Sequence, residues 1–429
     1  MENIASKKAQ FLSNFLAKDT DVNSSLAKQE ALKALENLEF PTTRDEYWKY
    51  TRVGKITSAK YSQIPSFKVS DISNYCIEGL ETYRVVFVNG FFSEELSDIS
   101  TNQGVSILPI AKARKENTDE IEQYFGKLSK HKTQFFSALN TVFNTNGVFV
   151  KIAKNSILEK PIHIINITNA ESAAFNPRNL FVVEENAEVQ IINSYETSSG
   201  SSFTNATTEI YVKEGAKVDS YILQNESDTS KQINEIDVLQ ESNTTYSATT
   251  ITLNGGLVRN NHNIEVRGQG SETNLFGLYL TSGNQHIDNH TIVDHIEPNC
   301  ESNEVYIGVM DDKSTAVFNG KVFVRSEAQK TNAYQQNKNM LLTDDASAYS
   351  KPELEIYADD VKCSHGSTTG QVDEEAIFYL RTRGVSEANA RKMMICAFAH
   401  EILDNIKIEV LREMLEIQID ERFVLVESL

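Results

Sequence analysis

The sequence predicts a mainly β chain, a β-helix (β-solenoid) core flanked by helical regions, on three observations. From about Phe135 short alternating apolar runs are separated by Asn, Gly, Ser and Thr, with few helical stretches until about residue 373. One internal echo is direct: FVVEENAEV (181–189) against IYVKEGAKV (210–218). The apolar residues before successive turns are Val183, Val212, Leu239, Val266 and Val293, separated by 29, 27, 27 and 27 residues. A fixed period of that size, built from strands and small-residue turns, suggests coils that stack on their neighbours. A β-sandwich also uses short strands and glycine turns, but does not predict a near-constant long period. The expected units are a helical and mixed α/β region over 1–135, the β-helix over 136–372 and a helical region over 373–429.

Residues 1 to about 60 read as helical. Phe11, Leu12, Phe15 and Leu16 form one apolar stripe, and Leu32, Leu35 and Leu38 a second that Pro41 ends. The segment RDEYWKYT (44–51) carries the only tryptophan, Trp48, which either docks a partner or anchors local packing. Next, YRVVFVNGFF (83–92) reads as a strand and turn, and TDEIEQYFGKLSK (118–130) as a helix. A solenoid has two open ends to cover, and the N-terminal helical region is the expected cover for one. After Asp373 the chain is helical again. Ser386 suits the N-cap of a helix through about Leu403, with Met393, Met394, Ala397, Phe398 and Ile402 on one side. A last helix carries Ile406, Val410, Met414 and Ile417 at helical spacing. Stripes of this kind are core or partner-docking faces.

The overall balance narrows the function. The 41 Lys+Arg against 60 Asp+Glu give a net charge of −19, which argues against nucleic acid or an anionic membrane as a direct partner. No stretch approaches the roughly 20 apolar residues of a membrane span. The opening MENIASKKAQFLSNFLAKD has no uninterrupted apolar core and no small-residue cleavage site, so no secretory signal is expected. The four cysteines, at 76, 300, 363 and 396, lack C-x-x-C spacing, so a disulfide scaffold and a structural zinc site are not expected and a reducing cytoplasm is. There is no P-loop, dinucleotide fingerprint or G-x-S-x-G elbow.

The stretch EIYADDVKCSHGSTTGQVDEEAIFYLRTRG (355–384) concentrates the chemistry. Its start alternates as a strand, with Ile356, Ala358 and Val361 apolar among carboxylates. Cys363 and His365, two apart, project from one strand face. Gly366 and Gly370 are expected to break the strand, Asp373 to cap a helix with Val372 and Ile377 as a hydrophobic staple, and Gly384 to close it. A C-x-H pair supplies two ligands to iron or zinc, whereas a stable site needs three or four. Asp359, Asp360, Glu374 and Glu375 are the nearby carboxylates. The site is therefore transient or completed by a second chain, unless the pair is a buried Cys beside a hydrogen-bonded His. In QHIDNHTIVDHIEPNCES (285–302), His286, His290 and His295 with Cys300 invite a metal reading, but the spacings of four and five do not suit one strand face. Structural hydrogen bonding is the expectation there.

The 355–384 stretch, with NAYQQNKNMLLTDDASAYSKPELEIYADDVKC (332–363), ARKMMICAFAHEIL (390–403) and FPTTRDEYWKYTRV (40–53), resembles the SufB/SufD family of iron–sulfur cluster assembly proteins, and its SufD branch most. The resemblance implies a β-helix and a cytoplasmic, non-catalytic scaffold that pairs with SufB through solenoid strands. It also implies that the chain holds the SufC ATPase through its C-terminal helices, where Met393, Met394 and Phe398 are the candidate docking residues. His365 matches the SufD histidine of the SufB–SufD interface, and Cys363 also matches, although the essential thiolate is attributed mainly to SufB. A nascent iron–sulfur cluster would be held transiently and shared with SufB, with no cofactor bound stably by this chain alone. A homodimer of the isolated chain is a further implied state. The competing readings are a cytosolic β-helix carbohydrate-active enzyme, which would need carboxylates in a cleft along the solenoid, and a SufB-type scaffold. The few cysteines and the PTTRDEYWKYT segment argue against the second.

Overall fold

In the structure, a computed structural model, residues 2–15, 25–61, 69, 71–99, 104–144 and 146–423 are described. The strands form two parallel ladders that wind alternately. The first contains β1 (Tyr83–Val88), β5 (Ile162–Phe175), the first half of β7 (Glu188–Val212), β8 (Lys217–Asn225), β10 (Thr245–Asn254), β12 (Glu272–Thr281), β14 (Glu301–Met310), β16 (Asn332–Leu341) and β18 (Lys362–Gln371). The second contains β4 (Val148–Ile152), β6 (Arg178–Val183), the second half of β7, β9 (Lys231–Gln240), β11 (Leu257–Val266), β13 (His286–His295), β15 (Thr315–Val324) and β17 (Ser347–Ile356). Each coil is one strand from each ladder. Alternate side chains of both ladders point inward and share one core, from Val85 and Ile164 to Tyr306 and Phe318.

The repeat is real, but its column differs from the sequence expectation. The in-register residues are Val183, Val212, Gln240, Val266, His295, Val324 and Ile356. Leu239 and Val293 thus belong to neighbouring columns, and the separations vary instead of holding at 27. The physical reason is that two core slots are polar and hydrogen-bonded. Gln240 Nε2 donates to Thr244 Oγ1 at 3.1 Å and to the Glu272 carbonyl at 3.0 Å, and His295 Nε2 lies 2.9 Å from Ser302 Oγ. The 181–189 and 210–218 echo is a true stack, since Phe181 pairs with Ile210 and Val189 with Val218.

The abundant asparagines have a place in the turns. Asn155, Asn186, Gly215, Asn243, Gly270 and Asn299 stand one coil apart at the corner leading into the first ladder, all with φ between 55° and 71°. This left-handed conformation suits Asn and Gly. The stack also selects between them. Asn186 Nδ2 donates to Asn155 Oδ1 at 3.0 Å, while a Cβ at Gly215 would meet Asn186 Oδ1 at 2.3 Å.

The two ends are treated differently. At the N-terminal end β1 pairs antiparallel with β2 (Phe91–Phe92), and β4 with β3 (Val105–Pro109), so both ladders are closed by antiparallel neighbours. The N-terminal helices do not cover that end as expected. Helices α1 (Glu2–Ser13), α2 (Leu26–Asn37) and α6 (Phe135–Phe143) instead lie on the outer face of the second ladder, where outward Phe203, Ile233 and Leu257 pack against Phe11, Phe15, Leu35 and Leu139. Leu32 is exposed, and Leu16 lies outside the described residues. Two short helices, α3 (Gly54–Thr57) and α4 (Ile110–Glu116), follow α2, and the predicted 118–130 helix stops as α5 (Thr118–Tyr124), before Gly126 at φ 74°. Strands β1 and β3 precede residue 136 and are already part of the ladders.

Helices α7 (Glu374–Thr382), α8 (Glu387–Leu403) and α9 (Glu409–Arg422) cover the outer face of the first ladder. Asp373 accepts from the Glu375 and Ala376 amides, Val372 and Ile377 are both buried, and Ser386 caps α8 through Asn389. The predicted α8 stripe divides. Ile402 joins Ile395, Ala399 and Leu403 against outward Leu278 and Ile307, Met394 and Phe398 are half-buried, and Met393 and Ala397 are exposed. On α9 the buried face is Leu411, Leu415 and Ile419, while Ile417 is exposed. The packing face of each helix follows the ladder's apolar outer surface and not the longest run of large residues.

Candidate functional site

The C-terminal end of the solenoid is open. Among the described residues β17 and β18 have no further rung, although each contributes ten residues, an edge of about 33 Å. The expected single strand through Ile356, Ala358, Val361 and Cys363 is in fact the end of β17, a turn and the start of β18. Gly366 and Gly370 do not break β18, which pairs with β16 through Gln371. With ladder bonding on one side already met, glycine's missing side chain is not enough to end a strand. The Lys362 amide donates to the Thr331 carbonyl of the preceding turn. By alternation, the main-chain groups of Cys363, His365, Ser367 and Thr369 point off the edge.

Those same four residues continue inward-facing columns. Register runs from Ala333 to Cys363, from Gln335 to His365, from Asn337 to Ser367 and from Asn339 to Thr369, and all four β16 residues are buried. In β18 every residue but Cys363 is exposed, because no coil lies above it. Ser367 Oγ donates to Ser350 Oγ on β17 at 2.7 Å, so the terminal strands of the two ladders face each other. Cys363 and His365 are therefore brought to one face at the mouth of the core. Cys363 packs half-buried against the cluster of Val322, Val324, Ala328, Ala333 and Ala358, and burial pushes its thiol up. His365 is exposed.

The nearby carboxylates do not join them. Asp360 pairs with Lys330, Glu374 with Arg391 at 2.7 Å, and Asp359 and Glu375 are exposed. Among the described residues no group of three or more His, Cys, Asp and Glu side chains is placed to hold a metal ion. His286 and His290 lie on the outer face of β13, while His295 points inward, as the odd spacing requires. His286 Nε2 lies 2.7 Å from Thr51 Oγ1, and His290 Nε2 lies 2.9 Å from Asp288 Oδ1, which Arg259 holds at 2.6 Å through the other oxygen. Burial lowers both histidines, and the Arg259 charge holds Asp288 below the usual carboxylate range despite its burial. Buried Cys300 donates to the Gly268 carbonyl at 3.3 Å. Trp48 stacks its ring 3.9 Å from the Arg259 guanidinium and packs against Phe136, so it anchors the 44–51 segment locally.

Two groups of surface residues escaped the sequence reading. Tyr334, Tyr349 and Tyr357 are exposed on the last rungs, and Phe378 and Tyr379 on α7. Their alternation and helical spacing look like ordinary core. Tyr349 stacks one ring face on Tyr50, with centroids 4.5 Å apart, and Tyr357 packs on Phe323, yet both remain exposed.

Comparison with known proteins agrees with this architecture. Residues 166–398 match the family described as SUF system FeS cluster assembly, SufBD core domain, and residues 10–164 match the SufBD protein N-terminal region. An iron–sulfur cluster assembly SufBD family protein of Synechocystis is 33% identical over 88% of this chain and 86% of its own length. The iron–sulfur cluster assembly protein SufD of Escherichia coli is 29% identical over 92% of each chain. Protein ABCI7, chloroplastic, of Arabidopsis thaliana is 28% identical over 88% of this chain and 81% of its own. With a parallel solenoid, helices at both termini and matches over nearly the whole length, the chain belongs to the SufBD family of iron–sulfur cluster assembly proteins.

Proposed function

We propose that this chain is a SufD-like, non-catalytic scaffold subunit of the cytoplasmic SUF machinery. It pairs with SufB through the open solenoid end and binds the SufC ATPase through its C-terminal helices. His365 contributes to a nascent cluster formed at the SufB junction, and Cys363 has the lesser part. The observation that carries this reading is the open end itself. Among the described residues, two long unpaired edges flank a mouth lined by His365, Cys363, Ser367 and Thr369. Such edges are templates for strand addition by another chain, and exposed Tyr334, Tyr349 and Tyr357 add apolar surface beside them.

The chemistry favours a shared site. An imidazole and a thiol supply two ligands where a cluster or iron ion needs more, so the cluster is cargo held jointly and briefly. The half-buried thiol with its raised pKa is a poor thiolate donor, which suits a leading role for His365 and a principal thiolate from SufB. Isolated copies would pair through the same edges, giving a homodimer.

The test is cluster-dependent enzyme activity in cells carrying His365→Ala or Cys363→Ser, with thermal melts of the purified chains. His365→Ala should leave melting near wild type and reduce cluster assembly sharply, with Cys363→Ser milder. Full activity with alanine at 365 would overturn the assignment. A large loss of melting temperature would make that histidine a structural residue.

A further inference from the structure

The column that ends in His365 changes character along the core. In register it reads Ile191, Ser220, Ala248, Leu275, Glu304, Gln335 and His365, with its only carboxyl two rungs below the mouth. Glu304 and Gln335 are both fully buried, and Gln335 Nε2 donates to Glu304 Oε2 at 2.5 Å. That bond spans one rung, about 4.8 Å. Gln335 Oε1 is also buried and has no hydrogen-bond partner. Leaving a buried carbonyl unsatisfied is destabilising. The next rung in its column is His365.

We propose that Gln335 is a positioning residue for His365. When a partner chain covers the mouth, Gln335 Oε1 accepts one ring N–H of His365 and fixes a single imidazole tautomer, with Glu304 holding the amide in the required orientation. The inference rests on the reading of His365 as a residue of the interface site. When ionised, Glu304 only accepts, so in that state it turns the amide nitrogen toward itself and the amide oxygen toward the open end. The other ring nitrogen is then left as a lone-pair donor for the cargo, the usual role of an outer hydrogen bond to a ligating histidine. The groups facing Glu304 are Gln335, the Thr291 hydroxyl from the opposite ladder and the Tyr306 phenol, with no cation among the described residues. Burial pushes the Glu304 carboxyl up to about 7, so pH near neutrality controls how firmly the amide is held.

The test is the ring ¹⁵N spectrum of His365 in the complex of the full chain with SufB and SufC, assigned by loss of the signal in His365→Ala. Wild type should show one dominant tautomer. Gln335→Leu should show a mixture, and cluster assembly should fall about tenfold. That variant strands Glu304, so a Glu304→Leu/Gln335→Leu chain, in which neither buried partner is orphaned, serves as the second arm and should show the same mixture with normal melting. Unchanged ring shifts in both variants would overturn the inference. Failure of the interface reading is distinguishable, because His365→Ala would then retain full cluster assembly whatever the tautomer.

Discussion

Ser367 on β18 and Ser350 on β17 meet at 2.7 Å, hydroxyl to hydroxyl, across the last open turn of the solenoid. One ladder's final strand is thereby tied to the other's, and both edges are presented together. A partner that adds a strand to one edge meets the second at once, which raises the effective concentration of the second pairing.

Proline at position 369 should separate folding from pairing. Thr369 points its main-chain N–H off the edge, so Thr369→Pro removes no existing ladder bond. We expect a melting temperature close to wild type and loss of SufB co-purification. Retained pairing would show that the β18 edge is not the junction.

The C-terminal helices should bind SufC through the side that they turn away from the first ladder. Met393 is 52% exposed, so Met393→Glu should fold normally and weaken SufC capture in a pull-down. Phe398 is half-buried against the first ladder, so Phe398→Asp should lower stability as well. A pull-down that keeps SufC after removal of residues 386–429 would refute the docking assignment. The purified chain, free of SufC, should hydrolyse ATP no faster than buffer.

Arg178 and Glu209 form an ion pair with no solvent exposure, 2.6 Å apart beneath α6. Glu209 also accepts the Gly126 and Leu128 amides, and Arg178 donates to Asn140 and Thr141. Glu209→Gln leaves a buried guanidinium without its counter-charge and should cost about 3–5 kcal/mol in urea unfolding. A smaller loss in an Arg178→Met/Glu209→Leu double variant would confirm that the penalty lies in the orphaned charge.

Stability should peak in mildly acidic solution. Burial lowers His163 and His262 to about 3 and His295 to about 4, so the stability they contribute above about pH 6.5 falls away as pH drops toward those values. Burial raises Glu226 and Glu304 to about 7, so each favours the folded state below the ordinary carboxylate range and loses that advantage as pH rises to 7. Between about pH 4.5 and 6.5 the two sets oppose each other. Raising the pH from 5.5 to 8 should shift the urea midpoint further downward, or less upward, in wild type than in Glu226→Gln. An identical shift in the two chains would mean that Glu226 is already ionised at pH 5.5 in the folded chain.

What the sequence determined by itself is local and periodic. The 181–189 and 210–218 echo, the caps at Asp373 and Ser386 and the proximity of Cys363 to His365 were all legible, because each depends on neighbours within one turn or one coil. Tertiary structure alone decided the rest. Gln240 and His295 occupy core slots only because hydrogen-bond partners await them there, so the apolar column drawn from sequence slipped at those points. The α8 and α9 faces were chosen by the ladder's outward Leu278 and Ile307, which lie over a hundred residues upstream of α9. His365 is exposed while Gln335, one rung below in the same column, is buried. No pattern in the chain distinguishes the two, because burial in a solenoid is conferred by the next coil, and among the described residues no coil follows β18.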